Sequence, residues 1–260
     1  MEDVSSSAIS MEDSGLLNCM LETEDGEKYA LSVYCRTVDT AKTEERNAKR
    51  NAFLQTLVSQ FQTNDGRFNP GLVIENGALT DTTYLEAYNP AWKGLENKGW
   101  CACFVSWALA EAGPADISRF AYVDDTVVEQ ETMYGFLSYF SGGGAVDENR
   151  VNEKGHQWKP ASKGYIPTPG DLVFMDTKNG GYADHIGVVI SVAGGYVYTI
   201  EGSVEETIPN EDNQPEPGTD TEPGIETDTE SDTKTIYIVQ LKKYELSDNT
   251  ILGYGVLNWD

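Results

Sequence analysis

The fold of this chain is decided by residues 99–114, which read GWCACFVSWALAEAGP. The stretch is rich in alanine, is apolar almost all round, and ends in Gly113-Pro114, a pair that stops a helix. It therefore predicts a helix that is buried in the core rather than one with a solvent face. Cys101 is expected in the first turn of this helix, and Cys103 is expected to face the core.

Upstream of this helix the pattern predicts a hairpin followed by a longer helix. Alternating apolar residues indicate two strands at 16–22 and 28–38, joined by an acidic turn. A helix begins near Asp39 or Thr40, either of which can cap its first turn, and ends at the polar residues 64–66. Its apolar residues recur at helical spacing, and they are Phe53, Leu54, Leu57, Val58 and Phe61.

Downstream the sequence changes from helical to strand-forming. A short helix is expected around residues 131–139, and five short apolar runs typical of strands come after it. These runs are 171–176, 185–192, 196–201, 236–241 and 252–257. Gly194 and Gly195 separate the second run from the third, which predicts a tight hairpin there. Helices early in the chain and paired strands late predict an α+β fold with an antiparallel sheet.

One segment is unsuited to a core. Residues 205–233 consist almost wholly of Glu, Asp, Thr, Pro, Gly and Asn, and eleven of them are acidic. We expect a disordered or loosely ordered loop there. Because strand-like sequence resumes after it, the segment is an insertion into the sheet rather than the end of a domain. The chain is thus expected to have a polar tail with a hairpin appendage at 1–40 and a main domain at 41–260.

Charge and hydropathy exclude several classes of function. The chain of 260 residues has 43 acidic and 18 basic side chains, a formal net charge of −25. Such an excess of carboxylates repels phosphate backbones and anionic lipid, so nucleic acids and membrane surfaces are not expected as partners. No run of about eighteen apolar residues is present to span a membrane. Residues 1–7 lack the basic and apolar regions of a secretory signal, so either the protein stays inside the cell or a leader has been removed.

Four cysteines are present, and their spacing leaves one disulfide open. Cys101 and Cys103 point to different sides of a helix and are not expected to bridge. Cys19 and Cys35 lie on the two arms of the predicted hairpin, where a tight turn pairs Cys19 with about Ser32. A bridge between them needs a longer loop or a bulge, and two separate buried thiols are the alternative.

Three side chains are candidates for joint chemistry. Cys101, at a helix start, meets unpaired backbone N–H groups and the positive end of the helix dipole, which stabilise a thiolate and can hold an oxyanion. His185 begins a strand and Glu201 ends the next one, so the carboxylate can orient the imidazole. The structural alternatives are a core thiol, an exposed strand-edge histidine and an ordinary strand-end charge. The other histidine, His156, lies in a polar loop and is expected to be structural or exposed.

Metal and nucleotide sites have no support in the sequence. Two histidines without a Cys-x-x-Cys pair do not make a usual zinc ligand set. The acidic runs do not follow the pattern of an EF-hand, and neither a P-loop nor a dinucleotide fingerprint occurs. No metal and no cofactor are therefore expected.

Four blocks of sequence closely resemble the CHAP family, the cysteine, histidine-dependent amidohydrolases/peptidases. They are residues 100–107 (WCACFVSW), 167–174 (PTPGDLVF), 184–189 (DHIGVV) and 198–202 (YTIEG). Four blocks in order are far more specific than any one of them, and the resemblance runs from about residue 51 to residue 260. It implies kinship with NlpC-type cell-wall hydrolases and a papain-like α+β fold. In that fold a buried helix carries the cysteine and packs on an antiparallel sheet that carries the histidine and the glutamate.

The resemblance implies a role for each matching residue of a CHAP-like catalytic domain at 41–260. Cys101 is the nucleophile, His185 the base and Glu201 the residue that orients the base. The family often has Asn two residues after this glutamate. Ser203 stands there and is a candidate auxiliary residue of shorter reach. Trp100, Trp92 and Asp184 are expected to help bind the substrate.

The implied activity is hydrolysis of amide bonds in bacterial peptidoglycan through an acyl-enzyme. The enzyme is expected to be an N-acetylmuramoyl-L-alanine amidase or a stem or cross-bridge endopeptidase, secreted or associated with the cell wall. Two alternatives stay open. One is a catalytically inactive CHAP-like module that binds wall or protein, and the other is a cysteine peptidase that acts on non-wall amides.

Overall fold

The computed structural model describes residues 10–11, 16–22, 28–34, 41–62, 74–75, 78–79, 100–118, 120, 123, 135–142, 147–209 and 233–260. Within these residues, helices pack on a seven-stranded antiparallel sheet, and a three-stranded and a two-stranded sheet lie upstream of it in the sequence. The predicted α+β fold is confirmed.

The helices bury the faces that the sequence predicts. Helix α1 (Ala41–Gln62) buries Phe53, Leu54 and Leu57 at helical spacing. Helix α2 (Cys101–Ala112) packs beside it and is buried along most of its length, because it has no polar face. A shorter helix, α3 (Phe136–Ser141), begins later than the sequence predicts and ends at Gly142, whose φ of 73° favours glycine.

The strands fall into three sheets. β1 (Ser10–Met11), β2 (Leu16–Glu22) and β3 (Lys28–Tyr34) form the first, and β4 (Ile74–Glu75) pairs with β5 (Ala78–Leu79). The main sheet contains β6 (Arg150–Val151), β7 (Gln157–Pro160), β8 (Leu172–Met175), β9 (His185–Ala193), β10 (Tyr196–Pro209), β11 (Thr233–Glu245) and β12 (Ile251–Val256). Their order across the main sheet is β11-β10-β9-β8-β12-β7-β6. The sequence did not predict the short strands β6 and β7, of which β6 is at the edge of the sheet.

The main sheet is apolar on both faces. One face shares a hydrophobic core with α1 and α2, and alternate strand residues supply it: Leu172, Phe174, Ile186, Val188, Ile190, Tyr198 and Ile200. The residues between them form a second cluster on the other face: Val173, Met175, Val189 and Val197, together with Ile251 and Tyr254. β9 and β10 are therefore held from both sides, which makes them a rigid base for the side chains at their ends.

The N-terminal hairpin has a longer loop than a tight turn allows. Glu22 pairs with Lys28, so five residues connect the strands, and Cys19 lies opposite Leu31 rather than Ser32. Cys35 lies outside the described residues, so the Cys19–Cys35 bridge stays a prediction. The backbone of β3 lies beside that of β9 in the main sheet.

The acidic insertion is shorter than the sequence indicates. β10 continues beyond Glu201 to Pro209, and β11 begins at Thr233, so residues 205–209 and 233 are strand. Cross-strand pairing explains the difference, since Glu205 lies opposite Tyr237 in an antiparallel ladder that composition alone does not reveal.

Candidate active site

Helix α2 presents Cys101 as its first residue. Trp100 precedes the helix and makes no side-chain capping hydrogen bond. The amide of Phe104 donates to the carbonyl of Trp100 at 3.0 Å, which is the first hydrogen bond of the helix. The amides of Cys101, Ala102 and Cys103 thus have no acceptor within the helix. The thiol lies beside these donors, at the positive end of the helix dipole.

His185 begins β9, opposite Met175 at the end of β8. The loop between these strands is braced by Asp184. Its Oδ1 accepts hydrogen bonds from the backbone and the hydroxyl of Thr177 at 2.8 and 2.7 Å, and its Oδ2 accepts one from the backbone of Lys178 at 2.9 Å. The sequence predicts substrate binding by Asp184, whereas these contacts engage both of its oxygens in fixing the residue before His185.

Glu201 reaches His185 across the β9–β10 hairpin. Gly194 and Gly195 form the predicted turn, and their φ values of 60° and 85° fit the type I′ geometry that matches strand twist. A one-residue register shift between Tyr198 and Thr199 then places Glu201 opposite Gly187, two residues beyond His185 on the same face of β9. Nε2 of His185 lies 2.9 Å from Oε2 of Glu201.

The glutamate fits only because Gly187 has no side chain. A Cβ atom at this position would lie 2.6 Å from Cγ of Glu201 and 3.3 Å from the carbonyl oxygen of Ile200. Ordinary carbon–carbon contacts are about 3.5–4.0 Å. Gly187 is therefore required by the close approach of Glu201 to β9.

The imidazole lies between the thiol and the carboxylate, and its charge responds to both. Because Oε2 of Glu201 accepts a hydrogen bond from Nε2–H, Nδ1 is the nitrogen available for the hydrogen bond between His185 and Cys101. Burial by itself would lower the pKa of His185. The negative charge of the Cys101 thiolate and its hydrogen bond, followed by those of Glu201, outweigh burial and raise that pKa to about 10. This arrangement stabilises a thiolate–imidazolium pair.

Two further residues bind the carboxylate of Glu201, which is 1% exposed. Oγ1 of Thr199 donates to Oε1 at 2.5 Å, and the hydroxyl of Tyr244 on β11 donates to Oε2 at 3.2 Å. Burial, followed by the charge of Glu201, raises the pKa of Tyr244, so its hydroxyl stays protonated and able to donate. Neither residue was predicted from the sequence. Thr199 could have been, because it lies two positions before Glu201 on the same face of the predicted strand. Tyr244 could not, because nothing in the sequence fixes the pairing register of its strand.

The two cysteines of α2 have different surroundings. Cys103 is fully buried, which confirms the prediction that it faces the core. Burial, followed by the charge of Cys101, raises the pKa of Cys103, so it remains a thiol. Only Cys101 is in contact with the imidazole among the described cysteines.

Trp100 and Trp92 are the two tryptophans predicted to help bind the substrate. Trp100 is 1% exposed and packs edge to face against Phe104, with ring centroids 6.3 Å apart. Its indole is part of the hydrophobic core, and its role in substrate binding stays a prediction. Trp92 lies outside the described residues, so its predicted role stays a prediction.

Ser203 lies on a bulge directly after the carboxylate. The pairing shifts between Glu201 and Val204, so Gly202 and Ser203 together face one residue of β11. Ser203 has a φ of 62°, in the left-handed region that favours glycine and asparagine. Among the residues that the structure describes, no hydrogen bond links Ser203 to His185 or Glu201.

His156 forms a separate, structural pair. Its side chain is buried, with Nε2 3.2 Å from Oδ2 of Asp116 and Nδ1 accepting from the backbone N–H of Asn258 at 2.9 Å. Tyr139 donates to the same Asp116 oxygen at 2.6 Å. Burial lowers the pKa of His156, whereas the charge of Asp116 acts to raise it. The contacts of His156 with Asp116 and Asn258 join the C-terminal segment to the turn after α2. His156 is thus structural, the first of its two predicted alternatives.

No described helix is both long and apolar enough to cross a membrane. In the same residues, no group of three or more His, Cys, Asp and Glu side chains is placed to hold a metal ion.

A sheet of this topology, with a cysteine at the start of a buried helix, is consistent with a papain-like fold. Residues 92–203 match the family model of the CHAP domain, so the resemblance to this family predicted from the sequence is confirmed. CHAP domains are a family of amidases and peptidases of the peptidoglycan-hydrolase type. The matched range includes Cys101, His185 and Glu201 and ends before β11 and β12. It is shorter than the range of residues 51–260 over which the sequence predicts the resemblance. Comparison with curated proteins and comparison with solved structures both give no match.

Proposed function

We propose that this protein is a cysteine hydrolase that cleaves amide bonds of bacterial peptidoglycan with Cys101, His185 and Glu201. The observation that carries the proposal is the chain of contacts from the thiol through the imidazole to the buried carboxylate. The CHAP family supports the wall as substrate. The bond is either the amide that joins glycan to stem peptide or one within the peptide, and a secreted or wall-associated location belongs to the same proposal.

The reaction is acyl transfer in two halves. Nδ1 of His185 takes the proton of Cys101, and the thiolate attacks the carbonyl carbon of the amide, pushing an electron pair onto the oxygen. Amides in the first turn of α2 hold this oxyanion. The intermediate collapses to a thioester as the C–N bond breaks, and His185 protonates the leaving amine. Water, deprotonated by His185, then hydrolyses the thioester, which releases the acid and restores the thiol.

The side chain of His185, the proton donor for the leaving amine, is 14% exposed and thus partly accessible to solvent. Glu201 is shielded from solvent and does not touch the substrate in this reaction.

Two cysteine substitutions on one helix test the proposal. Cys101→Ala removes the nucleophile and is expected to slow solubilisation of purified bacterial walls by at least about 1000-fold. Cys103→Ala is the matched control, because it removes a buried thiol two residues away at a stability cost of about 1 kcal/mol. Turbidity and released muropeptides give the rates. Equal activity of wild type and Cys101→Ala would contradict the proposal.

The two alternatives from the sequence predict different results. An inactive module sediments with walls, leaves them intact and shows no enhanced alkylation of Cys101. A peptidase on non-wall amides cleaves peptide substrates through Cys101 but leaves walls intact. Either result, obtained with walls from several bacteria, would replace the peptidoglycan hydrolase.

A further inference from the structure

The carboxylate of Glu201 is the centre of a cluster of donors that extends beyond the CHAP match. The match ends at residue 203, whereas Tyr244 lies on β11, after the acidic insertion. The β10–β11 pairing places Tyr244 opposite Val197 and brings its hydroxyl to 3.2 Å from Oε2 of Glu201. Thr199 occupies the other oxygen at 2.5 Å.

The three donors together fix the plane of the carboxylate. His185 alone binds only Oε2, which leaves the group free to rotate about its terminal bond. Thr199 holds Oε1, so rotation breaks at least one hydrogen bond, and Tyr244 supplies a second donor to the oxygen that faces the imidazole. Because the group is 1% exposed, water does not replace a donor that is lost.

We propose that Tyr244 and Thr199 are positioning residues that hold Glu201 aligned with Nε2 of His185. The inference rests on the proposed function of the Cys101–His185–Glu201 set. Neither residue touches the substrate, and both act through Glu201. Ser203, which stands where the family often has Asn, makes no hydrogen bond to this group in the described residues. Tyr244 thus supplies a polar contact from a strand outside the matched range.

The consequence is a change in how Cys101 responds to pH. A carboxylate that loses a donor turns more easily out of line with Nε2, so the imidazolium loses a fixed partner. The thiolate–imidazolium pair then forms at higher pH. Loss of a hydrogen bond to a charged group changes an equilibrium constant by about tenfold or more. We therefore expect the pH of half-maximal alkylation to rise by about one unit for each donor removed.

The experiment measures alkylation of Cys101 by iodoacetamide from about pH 4 to about pH 11, a range of ~7 units that extends beyond the raised pKa of His185. The full chain carries Cys103→Ala, and mass spectrometry follows the peptide that contains Cys101. The variants are Tyr244→Phe and Thr199→Val, each of which removes only a hydroxyl donor in near-constant volume. Thr199→Ser keeps the hydroxyl and is expected to restore the wild-type profile.

Asp171 provides matched controls within the same sheet. Tyr165 donates to this buried carboxylate at 2.8 Å and the hydroxyl of Thr168 donates to it at 3.3 Å. Tyr165→Phe and Thr168→Val therefore remove the same kinds of contact from a carboxylate outside the candidate site. They are expected to lower the melting temperature without moving the alkylation profile.

The outcomes separate this inference from the proposed function. A shift in Tyr244→Phe and Thr199→Val, with none in the Asp171 controls, supports the positioning role. Unchanged profiles in both variants, or equal shifts in the controls, would overturn it while leaving Cys101 as nucleophile. A wild-type Cys101 with the reactivity of an ordinary thiol would contradict the proposed function instead.

Discussion

A methyl group added at Gly187 tests the contact between Glu201 and His185 without altering either residue. The new Cβ would lie 2.6 Å from Cγ of Glu201, so the side chain must retreat by about 1 Å to reach an ordinary contact distance. The 2.9 Å hydrogen bond to His185 then lengthens to roughly 3.9 Å, beyond hydrogen-bonding range. Misplacement of this size costs about 100-fold in rate. We expect Gly187→Ala to lose wall solubilisation to that extent.

Gly253→Ala is the control for this prediction, because it is equally crowded but lies on β12. Its Cβ would lie 2.7 Å from the carbonyl oxygen of Lys159 and from the ring of Trp158. Both variants are expected to lose about 1–3 kcal/mol of unfolding free energy from overpacking. Rates are measured on folded protein, below the melting temperature of each variant. Wild-type activity in folded Gly187→Ala, or an equal loss in Gly253→Ala, would refute the reasoning.

Three further predictions concern strain and protonation. Ser203→Gly should raise the free energy of unfolding by about 0.5–1 kcal/mol in urea, because glycine accepts the φ of 62°, whereas Ser203→Ala should not. Burial raises the pKa of Asp171 to about 6, although hydrogen bonds from Thr168 and Tyr165 act in the opposite direction. Between about pH 4 and pH 6 the folded state therefore keeps a proton on this carboxyl group that the unfolded state releases. The free energy of unfolding should therefore fall by up to about 3 kcal/mol as the pH rises from about 4 to about 6. Urea unfolding at these two pH values should show this decrease in the wild type and not in Asp171→Asn. Glu201→Gln removes a charge and a hydrogen bond that raise the pKa of His185, so the alkaline limb of wall hydrolysis, near pH 10 in the wild type, should move to lower pH. An alkaline limb that stays in place would show that Glu201 does not act on His185.

The elements with strong local signals could be predicted from the sequence. The apolar stretch that contains Cys101 has no polar face, and the structure buries it as α2. Gly194 and Gly195 have the residue type that a type I′ turn requires, and this turn joins β9 to β10 as neighbours. The register that places Glu201 opposite Gly187 also needs the one-residue shift between Tyr198 and Thr199, which sequence spacing does not reveal.

Features that depend on distant pairing could not be predicted in this way. Tyr244 reaches Glu201 only because β11 pairs with β10 across the acidic insertion, and composition contains no information on that register. Strands β6 and β7 are short and partly polar, so the pairing of β7 with β12 and of β6 with β7 is visible only in three dimensions. The hydrogen bonds of Asp184 to Thr177 and Lys178 arise from the fold of one loop and could not be predicted, and its role in substrate binding stays a prediction.

The identity of the bond that is cleaved tests the central claim most directly. Purified peptidoglycan is digested with wild-type protein and with Cys101→Ala, and the soluble products are analysed by mass spectrometry. Hydrolysis through the Cys101–His185–Glu201 set predicts fragments with a new amine and a new acid at an amide position, from the wild type alone. Fragments cut only in the glycan strands, or the same amide products from Cys101→Ala, would contradict it.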